Sequence, residues 1–140
     1  MKRSRAFIRA CYWAGALADL IATAPLVSPR AASFMFGVDP SAATDAYFYV
    51  ARVGASLMLG WTFLLAWGAR RPIERRGVLL ITVFPVLAGI ITAGILAVAS
   101  GFVMPERMIP TWIFQALITP AYIIAWVMAG RIAAQGGRDE

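Results

Sequence analysis

Two ionisable residues, Asp19 and Arg52, interrupt long apolar stretches of this 140-residue chain. A charged side chain at mid-bilayer costs about 2.5–3.5 kcal/mol on insertion scales, so each carries a functional hypothesis by default. A carboxylate in an apolar setting can hold a cation or exchange a proton, and a guanidinium can orient that carboxylate or hold an anion. Asp19 stands eight residues before the end of its run, and Arg52 five residues into the next. At the α-helical rise those positions are about 12 Å and about 7–8 Å deep. The gap is short enough for an arginine to bridge, and consecutive antiparallel helices commonly pack together. The expectation is a buried Asp19–Arg52 ion pair.

Other polar residues fall near the same depth. Thr23 follows Asp19 by four residues, Ser56 follows Arg52 by four, and Thr119 follows Gln115 by four. Residues four apart share a helix face. Thr92 completes the layer from the third run. Asp19, Thr23, Arg52, Ser56, Thr92, Gln115 and Thr119 are therefore the candidate ligand-binding set. Two readings compete: a polar pocket, opening outward, for a small polar or amphipathic ligand, or a polar knot that fixes helix packing. Asp19 is the lone acid within the runs, so a proton relay would lack further stations.

Most catalytic chemistry is excluded. The chain has no His and a single Cys, Cys11. There is no histidine base, no His-ligated metal, no internal disulfide and no CxxC. Neither a Walker loop nor a GxGxxG turn occurs. No cofactor, metal site or catalytic residue is expected.

The elements that must position these residues follow from composition. Hydrophobic residues make up 61% and charged residues 14%, against about 45–50% and about 25% in soluble domains. Four apolar runs, roughly residues 7–27, 47–69, 77–100 and 111–130, each suit a span of about 20 residues. They predict an all-α, four-helix transmembrane bundle forming one domain over residues 1–140. Arg9 and Asp19 break what a cleaved signal would keep apolar, so the first run is read as a retained helix.

Ten of the thirteen Lys+Arg fall in the N-terminal arm, the loop between runs two and three, and the tail. The positive-inside rule then puts both termini in the cytoplasm, in a multi-pass protein of the cell inner membrane. The formal net charge of +6 reflects that topology and not a nucleic-acid partner. The RRPIERR turn at 70–76 anchors it and could also attract anionic headgroups.

In the first outer loop, residues 31–36 read as a short interfacial segment ended by Gly37. Asp39 before Pro40 reads as an N-cap and N1, with the second helix beginning near Pro40. Pro25, Pro85 and Pro120 are candidate kinks. Small residues at four-residue spacing, Ala14/Ala18/Ala22, Ser56/Gly60 and Ala93/Ala97, suit close helix packing or self-association.

The stretches ADLIATAPL at 18–26, ARVGASLMLGWTFLLAW at 51–67 and ERRGVLLITVFP at 74–85 resemble small four-helix bacterial membrane proteins of the DoxX-like type. The resemblance implies the four-span layout but brings no catalytic signature and no site residues. The expected function is a non-enzymatic membrane protein in the lipid bilayer. It would be either an accessory subunit with a membrane-protein partner or a small-ligand-binding module. The alternative is a membrane-embedded enzyme or carrier for a lipophilic small molecule in an Asp19/Arg52 pocket.

Overall fold

A computed structural model describes residues 2–37, 39, 41 and 44–136, and regular structure among them is entirely helical. In order they form α1 (Lys2–Val27), α2 (Pro29–Phe36), α3 (Asp45–Arg70), α4 (Gly77–Ile81), α5 (Ala88–Ala99) and α6 (Pro105–Gly136). A kinked segment, Thr82–Leu87, joins α4 to α5. Lys2–Val27, Asp45–Arg70, Gly77–Ala99 and Pro105–Gln135 are each long and apolar enough to cross a membrane. The architecture is an all-α bundle of four spans. The helices run past the apolar runs because a helix need not stop where hydrocarbon does.

α1 is the organising helix, packed against α3 on one side and α6 on the other. Its buried residues Ile8, Cys11, Tyr12, Gly15 and Ala16 recur at three- and four-residue spacing, and Thr23, two turns on, continues the same inward face. Lipid tails give little hydrophobic drive between spans, so small residues that admit a neighbour closely matter most. Gly68 of α3 receives the Tyr12 ring, and Gly15 of α1 receives the Tyr122 ring of α6. A Cβ at either position would collide with its tyrosine. Ala16, Ala51, Ala55 and Ala69 complete the close contacts.

These are not the small residues the spacing selects. Ser56, Gly60 and Ala93 face outward, while Ala14, Ala18, Ala22 and Ala97 are half-buried. Of the expected kinks, one forms. Phe84 leaves helical geometry (φ −138°, ψ 109°) ahead of Pro85, as the residue before proline tends to do. Pro25 and Pro120 sit within continuous helices.

The start of α1, the α3–α4 turn and the end of α6 gather at one end of the bundle, called here the terminal end. There the Tyr12 hydroxyl donates to the Arg75 carbonyl at 2.8 Å. Arg75 lies 3.5 Å from the centroid of the Trp67 ring and donates to the Trp67 carbonyl. Slightly deeper, the Trp61 indole N–H donates to Thr82 Oγ1 at 3.1 Å, and Thr82 donates to the Val78 carbonyl at 2.7 Å. The enclosed core fills this half, with Ile8, Tyr12, Leu65, Leu79, Ala125 and Ala129 among its members.

At the distal end, Ser28 caps α2 by accepting from the Ala31 N–H, and Gly37 ends it in the left-handed region at φ 71°. Arg107 donates to the Phe34 carbonyl at 3.0 Å, which ties α2 to α6. α3 begins later than Asp39–Pro40 suggests. Its N-cap is Thr44, which accepts from the Tyr47 N–H at 3.2 Å. Pro40 lies outside the described residues. Asp39 instead accepts from the Ser41 N–H and hydroxyl, which hold its carboxyl below the usual range.

Candidate functional site

The seven candidate residues divide by azimuth rather than depth. Asp19 lies on the inward face of α1, half-buried, with its Oδ2 sealed from solvent and without a partner among the described residues. Arg52 is exposed on the outside of α3 and makes no ion pair with Asp19. The single salt bridge among the described residues is the exposed Arg71–Glu74 contact at 3.3 Å. The expected pair is thus corrected, and its reason is geometric. The residue of that turn facing α1 is Ala51, and the next residue stands about 100° farther round the helix. Matching depths brought the two charges level without turning them toward each other.

Ser56 and Thr92 are exposed, and each hydroxyl donates to the carbonyl four residues back, at 3.1 Å and 2.8 Å. Thr23 is buried, but its hydroxyl is likewise committed to the Asp19 carbonyl at 2.9 Å. Gln115 and Thr119 of α6 do turn inward. Gln115 is 4% exposed, and its Oε1 has no partner among the described residues. The half-buried Thr119 Oγ1 is in the same condition.

Two further groups join them that the sequence reading left out. Tyr122 is 1% exposed, with an unpartnered hydroxyl, and Trp112 contributes an unpartnered indole N–H. Residues 112, 115, 119 and 122 follow a three-four-three spacing, the signature of one helix face. That stripe was legible in the spacing: Trp112 falls at the outer boundary and Tyr122 deeper in the span, and neither was counted with the polar layer.

The levels of these groups can be counted. The Tyr122 hydroxyl lies against Gly15, and Asp19 is one turn farther along α1, about 6 Å. α1 and α6 run antiparallel, so Asp19 stands level with the turn of α6 that carries Gln115 and Thr119. The result is an acid on α1 and an amide and two hydroxyls on α6 at neighbouring levels, with Tyr122 at the edge of the enclosed core and the Trp112 indole nitrogen against Gly94 of α5. Buried polar atoms normally find partners, and in a bilayer the pressure to do so is greater.

Chemically, this array offers acceptors at Asp19 and Gln115, hydroxyls that can donate or accept at Thr119 and Tyr122, and a donor at Trp112. It contains no nucleophile–base pair and no group of three metal-ligating side chains among the described residues. Cys11 is buried nearby, with its thiol directed at the Ala121 carbonyl at 3.9 Å. The class defined by fold and site is a four-span membrane bundle with a polar seam in its distal half. Comparison with known families, curated proteins and solved structures finds no match.

Proposed function

We propose that this chain is a ligand-binding membrane module whose polar seam receives the head of a small amphipathic molecule. The carrying observation is the set of buried, unpartnered atoms Asp19 Oδ2, Gln115 Oε1, Thr119 Oγ1 and Tyr122 Oη. An amine or hydroxyl head group suits them best. It donates to Asp19 and Gln115, and its charge, if it has one, offsets the carboxylate. The tail would lie among the apolar side chains beside the seam. Arg52 takes no part, so an enzyme or carrier built on an Asp19/Arg52 pocket loses half of its machinery.

The orientation goes with this reading. Both termini are cytoplasmic, the membrane is a bacterial inner membrane, and the seam opens toward the periplasmic half. The cationic terminal end supports that placement.

A second reading has its own observation. α3 is the least enclosed span, and Arg52, Ser56 and Gly60 occupy its open face. A membrane-protein partner, or a second copy of the chain, would cover that face in an accessory subunit.

The test uses purified protein in mild detergent. Dodecylamine should raise the melting temperature of the wild type, while dodecanoate should not. Asp19→Asn and Gln115→Leu should remain folded and lose the response. Equal shifts with both amphiphiles, or an undiminished shift in Asp19→Asn, would defeat the binding reading.

A further inference from the structure

At the terminal end, a groove of about 830 Å³ opens between the start of α1 and the α3–α4 turn. Lys2, Arg5, Arg9, Arg70 and Arg71 line it, with Trp13 on its wall. Glu74 is the one acid there, and it is engaged by Arg71. Arg9, Trp13 and Arg70 also line a second cavity of about 620 Å³, which continues along α1 and α3 past Ala66 and Trp67 to Phe63. Phe63 lies seven residues inside Arg70, about 10 Å into the span. The two cavities therefore make one channel with a cationic mouth and an apolar floor.

Topology alone needs cations near this end, but it does not need an apolar trough leading away from them. Arg75 and Arg76 are not among the lining residues, and Arg75 is committed to Trp67. The clustered side chains face the trough with almost no opposing charge. We propose that this groove binds one anionic phospholipid, its phosphate held by Arg9 and Arg70 and one acyl chain lying over Trp67 and Phe63. Basic pockets between membrane helices recognise such headgroups. A soluble phosphate would use only the mouth, whereas a phospholipid also lays an acyl chain along the exposed Phe63, as lipid does over the other apolar faces of the spans. The site is separate from the distal seam, so either reading can fail without the other.

Native mass spectrometry of the full chain in detergent tests it, with phosphatidylglycerol and phosphatidylcholine as probes. Phosphatidylglycerol should be retained at least tenfold more strongly. Each arginine near a phosphate contributes roughly a fivefold factor in affinity. Arg9→Gln/Arg70→Gln should therefore weaken retention by roughly 25-fold, while Arg131→Gln, at the same end but outside the groove, should stay within twofold. If the double variant does not fold, Arg9→Gln alone should lose roughly fivefold and Arg9→Lys should recover most of it. Phe63→Ser should weaken the phospholipid but leave a chain-free glycerophosphoglycerol unaffected. Equal retention of both lipids, an equal loss in Arg131→Gln, or displacement of the lipid by millimolar inorganic phosphate would overturn the assignment.

Discussion

The two halves of the bundle treat their buried polar groups in opposite ways. Toward the terminal end, Tyr12 donates to Arg75, Trp61 donates to Thr82, and Thr82 donates onward to Val78. Farther along, Asp19, Gln115, Thr119 and Trp112 each keep a buried atom without a partner, as does Tyr122 at the edge of the core. Both halves are built from the same apolar helices, so composition does not explain the contrast. The kink at Thr82–Leu87 helps to explain it. α4 and the kinked segment keep the third span near α3 and α6 at the terminal end, whereas α5 packs on α6 without extended packing on α3. The third span thus packs against α3 only in the terminal half, and the distal groups meet no hydrogen-bonding partner from it.

The contrast can be broken most severely at the glycines. Gly15→Ala places a methyl group into the Tyr122 hydroxyl and Gly68→Ala one into the Tyr12 ring, and overpacking of that kind typically costs about 1–3 kcal/mol. Both should lower the thermal midpoint in detergent. Gly60→Ala, whose Cβ would meet nothing within 4 Å, should be neutral or gain up to about 1 kcal/mol from helix propensity. Equal losses at all three positions would mean that α3 is covered on its open face as well.

Threonines sharpen the comparison next. Thr82→Val removes the acceptor of the Trp61 indole, and a buried donor left unsatisfied costs about 1–3 kcal/mol. Thr119→Val removes a hydroxyl that has no partner and should change stability little in ligand-free protein. Chemical denaturation of the two variants side by side would show the difference. A large loss in Thr119→Val without ligand would mean that the distal half is satisfied after all.

The tyrosines repeat the logic at smaller scale. Tyr12→Phe gives up the bond to the Arg75 carbonyl, worth about 0.5–1.5 kcal/mol net. Tyr122→Phe gives up nothing within the protein and should hold or slightly raise the midpoint, while reducing the dodecylamine response. Calorimetry on both, with and without the amine, reads the two effects separately.

The sequence carried the fold well and the site in part. Span number and helix class came from apolar run length, which is a property of the chain alone. Asp19 could be placed inward on the same grounds, since Ile8, Tyr12, Gly15 and Thr23 share its face at helical spacing. Gln115 and Thr119 followed from their own repeat. Arg52, Ser56 and Thr92 went astray because depth is only one of two helical coordinates. The other is azimuth, set by which small residues meet across the interface. Gly15 and Gly68 decide that, and nothing in their local sequence separates them from Gly60. Tyr122 lies deeper than a boundary anchor, but what its hydroxyl meets, Gly15 of α1, again depends on azimuth.

The smallest effect tests the corrected azimuth directly. If Asp19 and Arg52 formed a buried pair, Asp19→Asn and Arg52→Gln would each destabilise and the double variant would recover much of the loss, with a coupling of up to about 3 kcal/mol. With Arg52 on the outside of α3, the two changes share no partner. Their effects should add to within about 0.3–0.5 kcal/mol. Arg52→Gln alone should be nearly silent, since a long guanidinium at that depth reaches toward the interface and its loss removes no internal contact. Asp19→Asn should be neutral or stabilising, because it replaces a desolvated charge by a neutral amide of the same shape. A double-mutant cycle in detergent and again in lipid nanodiscs separates the cases. Coupling that appears only in the bilayer would mean that lipid turns Arg52 inward, which would restore the ion pair and make the distal half the better satisfied of the two.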